Sequence, residues 1–171
     1  METTGIKGFL KRKNINFTLK TYFIDALGAM AFGLFASLLI GTIFATLGEK
    51  TNIETFHIIS QYAKEATGAA LGVSIAYALQ APQLVLLSAA TAGIAGNALG
   101  GPVGAFVAAI AAVESGKAVS KETRVDILIT PAVTIICGVA MARFAGPGVS
   151  SFMTAFGSLV KTATNMQPFL M

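Results

Sequence analysis

The longest stretch of the chain without a charged residue decides what the chain can fold into. Residues 66–113, between Glu65 and Glu114, contain no Asp, Glu, Lys or Arg. A water-soluble domain must keep charged side chains on its surface and has no place for such a stretch. Hydrophobic residues make up 54% of the 171 residues, which also excludes intrinsic disorder. The sequence therefore predicts an all-α fold, a polytopic bundle of membrane helices.

The uncharged stretch is too long to form one straight helix. At ~1.5 Å per residue it would reach about 70 Å, more than twice the ~30 Å thickness of the hydrocarbon core. Residues that break helices occur at Pro82 and again between Asn97 and Pro102. We therefore expect three short segments, built as broken or re-entrant helices. Such segments are tolerated at membrane depth only beside protein or a water-filled cavity, and secondary transporters bind substrates there.

Basic residues near the N-terminus predict the orientation in the membrane. Residues 1–22 carry five Lys or Arg side chains and one acidic residue, Glu2. We expect residues 1–22 to form a basic, amphipathic segment on the cytoplasmic surface, and residues 23–171 to form the transmembrane domain. The first span is predicted from Phe23 to Leu47, which puts residues 49–65 outside. The basic patch from Lys117 to Arg124 then lies inside again.

Polar groups that could hold a solute occur at two places. The backbone of Gly100 and Gly101 is freed by the helix break, and Asn97 lies beside it. Glu114 ends the uncharged stretch, where a carboxylate is either the solvated end of a helix or a buried acceptor for solute hydroxyls. Lys117 follows at the helical spacing of three that allows pairing with Glu114. The predicted substrate-binding residues are Asn97, Gly100, Gly101, Glu114 and Lys117.

Small residues recur at every fourth position in three parts of the chain. In lipid this spacing lets helices approach closely. For the first two sets below, helix packing is the favoured interpretation; for the third, packing and ligand contact are both open. The sets are Gly33, Ser37 and Gly41; Gly68 and Gly72; and Gly96, Gly100 and Gly104.

Motifs of soluble enzymes and of metal sites are missing from the sequence. The one histidine, His57, and the one cysteine, Cys137, cannot build a zinc site. There is no phosphate-binding loop followed by Lys-Ser or Lys-Thr. A nucleic-acid site needs basic residues clustered on one face of a soluble fold. Most of the basic residues here lie in short segments beside apolar stretches, so we expect no nucleic-acid partner. We also expect no cofactor, no metal and no catalytic residue.

Three stretches of the sequence resemble a known family of membrane proteins. They are Phe9–Lys13 continuing through Tyr22–Ile43, Gly100–Ala108 with Glu114–Lys117, and Lys121–Ile135. Taken together, they are similar to the phosphotransferase-system EIIC-like proteins, a family that includes the perfringolysin O regulator type.

The resemblance implies a permease component of the bacterial inner membrane, which binds a sugar or small polar solute and moves it by alternating access. Separate soluble phosphotransferase components relay phosphate in that class, so the chain would not be catalytic on its own. The implied partners are membrane lipid, the solute and those soluble components. The chain resembles the first half of longer members and is expected to act as a homo-oligomer or with a partner half. The alternative is a membrane-bound regulator or sensor that binds a ligand without transport.

Overall fold

The structure is a computed structural model that describes residues 12, 13, 15, 18, 20–122 and 125–166, with side chains up to residue 162. Most of the basic, amphipathic segment predicted for residues 1–22 and the last five residues of the chain lie outside the described part. The described residues contain five helices and no strand, which confirms the all-α prediction. The helices are α1 (Thr21–Thr51), α2 (Glu54–Glu65), α3 (Thr67–Ala78), α4 (Gln83–Val119) and α5 (Asp126–Met166).

Three of these helices are long and apolar enough to cross a membrane. They are α1, α4 and the Asp126–Thr162 part of α5, judged by length and composition. The first span, predicted from Phe23 to Leu47, falls within α1. Large apolar side chains such as Phe32, which is 73% exposed, point away from the bundle. Hydrocarbon surrounds such side chains at no cost, so the surface is that of a multi-pass membrane protein.

The long helix α4 is folded back on itself. Gly100 (φ −143°, ψ 16°) and Gly101 (φ 62°, ψ −159°) leave the helical conformation just before Pro102. A Cβ atom added at Gly96 would lie 2.5 Å from the carbonyl oxygen of Gly104. In a straight helix these two residues would be separated by ~12 Å along the axis. The two halves of α4, residues 83–99 and 102–119, therefore form an antiparallel hairpin with its tip at Gly100 and Gly101.

The breaks predicted for the uncharged stretch are confirmed. Helix α3 ends before Pro82, which precedes the first residue of α4, and the second break coincides with the hairpin tip. The stretch therefore forms three segments, namely α3 and the two halves of α4. The halves are ~26 Å long, close to the thickness of the hydrocarbon core.

Glycines allow neighbouring helices to touch through their backbones. A Cβ atom at Gly72 in α3 would collide with the carbonyl group of Ala89 in α4, and one at Gly68 would lie 2.7 Å from the Cα atom of Ile94. Gly33 in α1 packs in the same way against Ala70 of α3. Close approach of this kind supplies van der Waals contact, the main source of helix association in lipid. Glycines of the first two small-residue sets thus serve helix packing.

Helix α5 lies against both halves of the hairpin. A Cβ atom added at Gly138 would clash with the side chain of Ala92 in the first half and lie 2.8 Å from the Cβ atom of Ala112 in the second. The packing directions place five helix ends together: the starts of α1, α4 and α5 and the ends of α3 and α4. We call this side of the bundle the basic end. Beyond the hairpin tip α5 continues, and residues 150–162 are exposed.

The hairpin tip should tolerate only glycine at position 101. A methyl group at Gly101 would meet no other atom within 4 Å, so the cost of Gly101→Ala comes from the positive φ and extended ψ alone. We expect the apparent free energy of unfolding in detergent to fall by about 1–3 kcal/mol. The matched control is Gly148→Ala, which is also in open space but helical, and which should be neutral or stabilising. Equal stability of the two variants would contradict the turn geometry.

Candidate functional site

Glu114 lies in the last turns of α4, at the basic end, where it contacts the first turn of α1. The hydroxyl of Tyr22 donates a hydrogen bond of 3.0 Å to Glu114 Oε1. The Glu114 side chain is only 14% exposed. The Glu114 side chain is therefore largely shielded from solvent between two helices, while its role as an acceptor for solute hydroxyls stays a prediction.

Lys117 is paired with the same carboxylate. Its Nζ atom lies 3.6 Å from Glu114 Oε1, and its side chain is 2% exposed. The pairing predicted from the spacing of three residues is therefore confirmed. A buried carboxylate without a nearby cation would be costly, so Lys117 offsets part of the cost of burying Glu114.

One oxygen of the Glu114 carboxylate has no hydrogen-bond partner in the described part of the chain. Among the residues that the structure describes, Glu114 Oε2 is buried and accepts no hydrogen bond. Nearly all buried polar atoms in proteins have a hydrogen-bond partner, and leaving one without a partner costs about 1–3 kcal/mol. Glu114 Oε2 can therefore accept a hydrogen bond from the hydroxyl or N–H group of a ligand.

A groove opens beside Glu114, between the start of α1, the second half of α4 and the middle of α5. Its volume is ≈ 490 Å³, within the range of small-molecule sites. Apart from the Tyr22 hydroxyl and the Glu114 carboxylate, the side chains that line it are apolar, and three of the lining residues are aromatic. The lining residues are Tyr22, Phe23, Phe106, Val107, Ile110, Ala111, Glu114 and Met141.

The chain was compared with known protein families, curated proteins and solved structures. The family model described as Phosphotransferase system, EIIC, matches residues 24–171. The chain belongs to this EIIC family. No curated protein and no solved structure matches it. The EIIC domain is therefore a membrane component of a phosphotransferase system.

The residues predicted to bind substrate fall into two groups in the EIIC domain. Asn97, Gly100 and Gly101 lie at the hairpin tip, where Gly100 packs against Gly146 of α5. Glu114 and Lys117 lie at the basic end, and Glu114 is ~20 Å from Gly101 along the helix axis. The second half of α4 separates the two groups, and the assignment of these five residues to substrate binding stays a prediction. Asn97 is half-buried.

The contribution of Tyr22 was missed in the sequence. An aromatic residue at the start of a span is typical of the membrane interface, so its position gave no sign of a partner in α4. Two other singled-out residues play no part in the groove: His57 is exposed and packs beside Gly48, and Cys137 is half-buried in α5. In the described part of the chain, no three His, Cys, Asp or Glu residues come together as they would around a metal ion.

Removal of Lys117 should destabilise the EIIC domain through Glu114. In Lys117→Met the carboxylate stays buried without its cation, and we expect the apparent free energy of unfolding in detergent to fall by about 3 kcal/mol. The double variant Glu114→Gln/Lys117→Met removes both charges and should recover most of that loss.

The matched control for Lys117→Met is Lys50→Met, since Lys50 is exposed at the other end of α1. We expect Lys50→Met to change the free energy of unfolding by no more than about 0.5 kcal/mol. If the double variant is no more stable than Lys117→Met, the loss is one of packing and the buried ion pair is not its cause.

Proposed function

We propose that this EIIC domain is a permease component that binds a sugar or small polar solute and moves it by alternating access. The observation that carries the proposal is the buried Oε2 atom of Glu114, which has no hydrogen-bond partner in the described residues and belongs to a residue that lines the groove. A mostly apolar site with a few fixed polar groups is typical of small-molecule binding. The membership of the EIIC family supports the same class of function.

In this proposal a hydroxyl of the solute donates to Glu114 Oε2. A hydrogen bond to a charged group contributes about 1.5–3 kcal/mol, more than one between neutral groups. Tyr22 and Lys117 hold the other oxygen and so fix the direction of Oε2. The aromatic residues at the groove offer apolar surface to the faces of the solute.

Movement of the solute requires two arrangements of the domain with different affinities. The Tyr22–Glu114 hydrogen bond joins α1 to the hairpin. In the second arrangement that we propose, the Tyr22 phenol has left Glu114 Oε1, which releases α1 from α4 at the basic end. Asn97, Gly100 and Gly101 are then proposed to meet the solute at a different stage, at the hairpin tip.

The placement of charge supports an N-terminus in the cytoplasm of a bacterial cell. The basic end carries Arg12, Lys13, Lys117 and Lys121, which matches the excess of basic residues on the cytoplasmic side of membrane proteins. Soluble phosphotransferase components would meet the domain from this side and supply the phosphoryl relay. We propose that the domain works as a homo-oligomer or with a partner half.

Binding by Glu114 is tested on the purified chain in detergent. A thermal-shift screen of sugars and small polar metabolites identifies the solute, and titration calorimetry then gives its affinity. Glu114→Gln keeps the shape of the side chain and removes its charge. We expect a loss of affinity of about 10- to 100-fold, the equivalent of one hydrogen bond to a charged group.

The control for this test is Glu49→Gln, which neutralises an exposed carboxylate at the far end of α1 and should bind as the unchanged chain does. Glu114→Gln leaves Lys117 buried without its anion, so Glu114→Gln/Lys117→Met is measured beside it. Unchanged affinity in either folded variant would refute the assignment of Glu114.

Transport itself is tested in proteoliposomes. We expect uptake of the identified solute by the unchanged chain and by Glu49→Gln, and loss of uptake in Glu114→Gln because solute no longer binds. Binding without net uptake by the unchanged chain would contradict the permease and favour the regulator or sensor alternative.

A further inference from the structure

A second cavity lies at the basic end and is separate from the groove. Its volume is ≈ 270 Å³, and four of its lining residues are cationic while one is acidic. We call it the basic pocket. It is lined by Arg12, Lys13, Gln80, Pro82, Lys117, Ser120, Lys121 and Glu122. Glu114 does not line it, so an inference about its ligand does not depend on the proposed solute site and rests only on the proposed orientation in the membrane.

The floor of the basic pocket is buried and ordered by polar contacts. Lys117 is 2% exposed and Ser120 is 5% exposed. Lys13 Nζ lies 2.6 Å from a carboxylate oxygen of Glu122 and also donates to the carbonyl oxygen of Ser120 at the end of α4. The hydrogen bond from Lys13 lowers the pKa of the Glu122 carboxyl, which therefore stays ionised near neutral pH.

The rim of the pocket carries the excess of positive charge. Glu122 balances Lys13, and Glu114 balances Lys117, whereas Arg12 and Lys121 are exposed cations at the pocket mouth. Asp126 accepts a hydrogen bond from the backbone N–H of Lys121 but does not line the pocket. A guanidinium and an ammonium group on one rim suit a phosphate, which accepts several charge-assisted hydrogen bonds.

The position of the pocket indicates where that phosphate comes from. The pocket lies where α4 ends and where the chain enters α1, and the first turn of α1 carries Phe23 and Ile24, which are 63% and 64% exposed. Tyr22, the neighbour of Phe23, contacts Glu114, which lies one turn before the pocket residue Lys117. Large exposed apolar side chains this close to a cationic pocket mark the boundary between hydrocarbon and headgroups. Basic pockets at this depth on the cytoplasmic side bind the headgroups of anionic lipids.

We infer that the basic pocket binds the phosphate group of an anionic membrane lipid. The phosphate lies against Arg12 and Lys121 at the rim, and the acyl chains stay in contact with the apolar surface of α1. A free phosphate ion has the same charge chemistry but gains nothing from that surface, so the lipid binds more tightly than the ion.

The test uses the full chain in neutral detergent. Binding of short-chain phosphatidylglycerol is measured by native mass spectrometry and by thermal shift, beside phosphatidylcholine of the same chain length and inorganic phosphate. We expect phosphatidylglycerol to bind more tightly than both. Arg12→Gln/Lys121→Gln should weaken the binding of phosphatidylglycerol about 10- to 30-fold, since both cations attract the headgroup and each contributes a comparable share of the affinity.

The matched control is Lys50→Gln/Lys161→Gln, which removes the same charge from exposed positions away from the basic end and should bind as the unchanged chain does. Equal weakening in both double variants, or equal binding of the two lipids, would overturn the inference. Inorganic phosphate binding as tightly as phosphatidylglycerol would show an ion site and refute the lipid.

The unchanged chain provides a measurement that needs no variant to fold. Because phosphate binding by cations is screened by salt, the affinity for phosphatidylglycerol should fall as sodium chloride is raised, while any binding of phosphatidylcholine should not. An affinity for phosphatidylglycerol that does not change with salt would also contradict binding of the lipid phosphate by the cations of the basic pocket.

Discussion

The whole bundle depends on helices that approach until their backbones touch. In hydrocarbon no gain comes from burying apolar side chains against one another, so helices associate through close van der Waals contact. Gly72 against Ala89, Gly96 against Gly104, and Gly138 between two alanines each remove the side chain that would keep the helices apart. The short, uncharged segments can therefore form one packed unit although the two halves of α4 are near the minimum length for crossing a membrane and the 12-residue helix α3 is shorter.

The hairpin of α4 follows from this packing and decides where the polar groups lie. Because the chain reverses at Gly100 and Gly101, the second half of α4 returns Glu114 to the end at which the hairpin began. There it meets Tyr22 at the start of α1. A straight α4 would carry Glu114 far from α1, and the groove between them would not exist.

The proposed solute site would give the buried ion pair at the basic end a reason other than stability. An apolar pair of similar size often stabilises a protein at least as well as a buried salt bridge does. Ionisable residues inside membrane domains usually mark a pathway or a binding site. The Glu114–Lys117 ion pair leaves Glu114 Oε2 without a hydrogen-bond partner in the described residues, and the proposed ligand would supply that partner.

The sequence alone determined the features that depend on local spacing: the uncharged stretch, its two breaks, the first span, and the pairing of Glu114 with Lys117 three residues later. Only the tertiary structure decided that the two halves of α4 lie against each other, that Tyr22 reaches Glu114, and that Lys13 and Lys117 line one pocket. These depend on the direction and depth at which distant helices pack. Periodicity and composition describe one helix at a time, so they carry no information about which helix faces which.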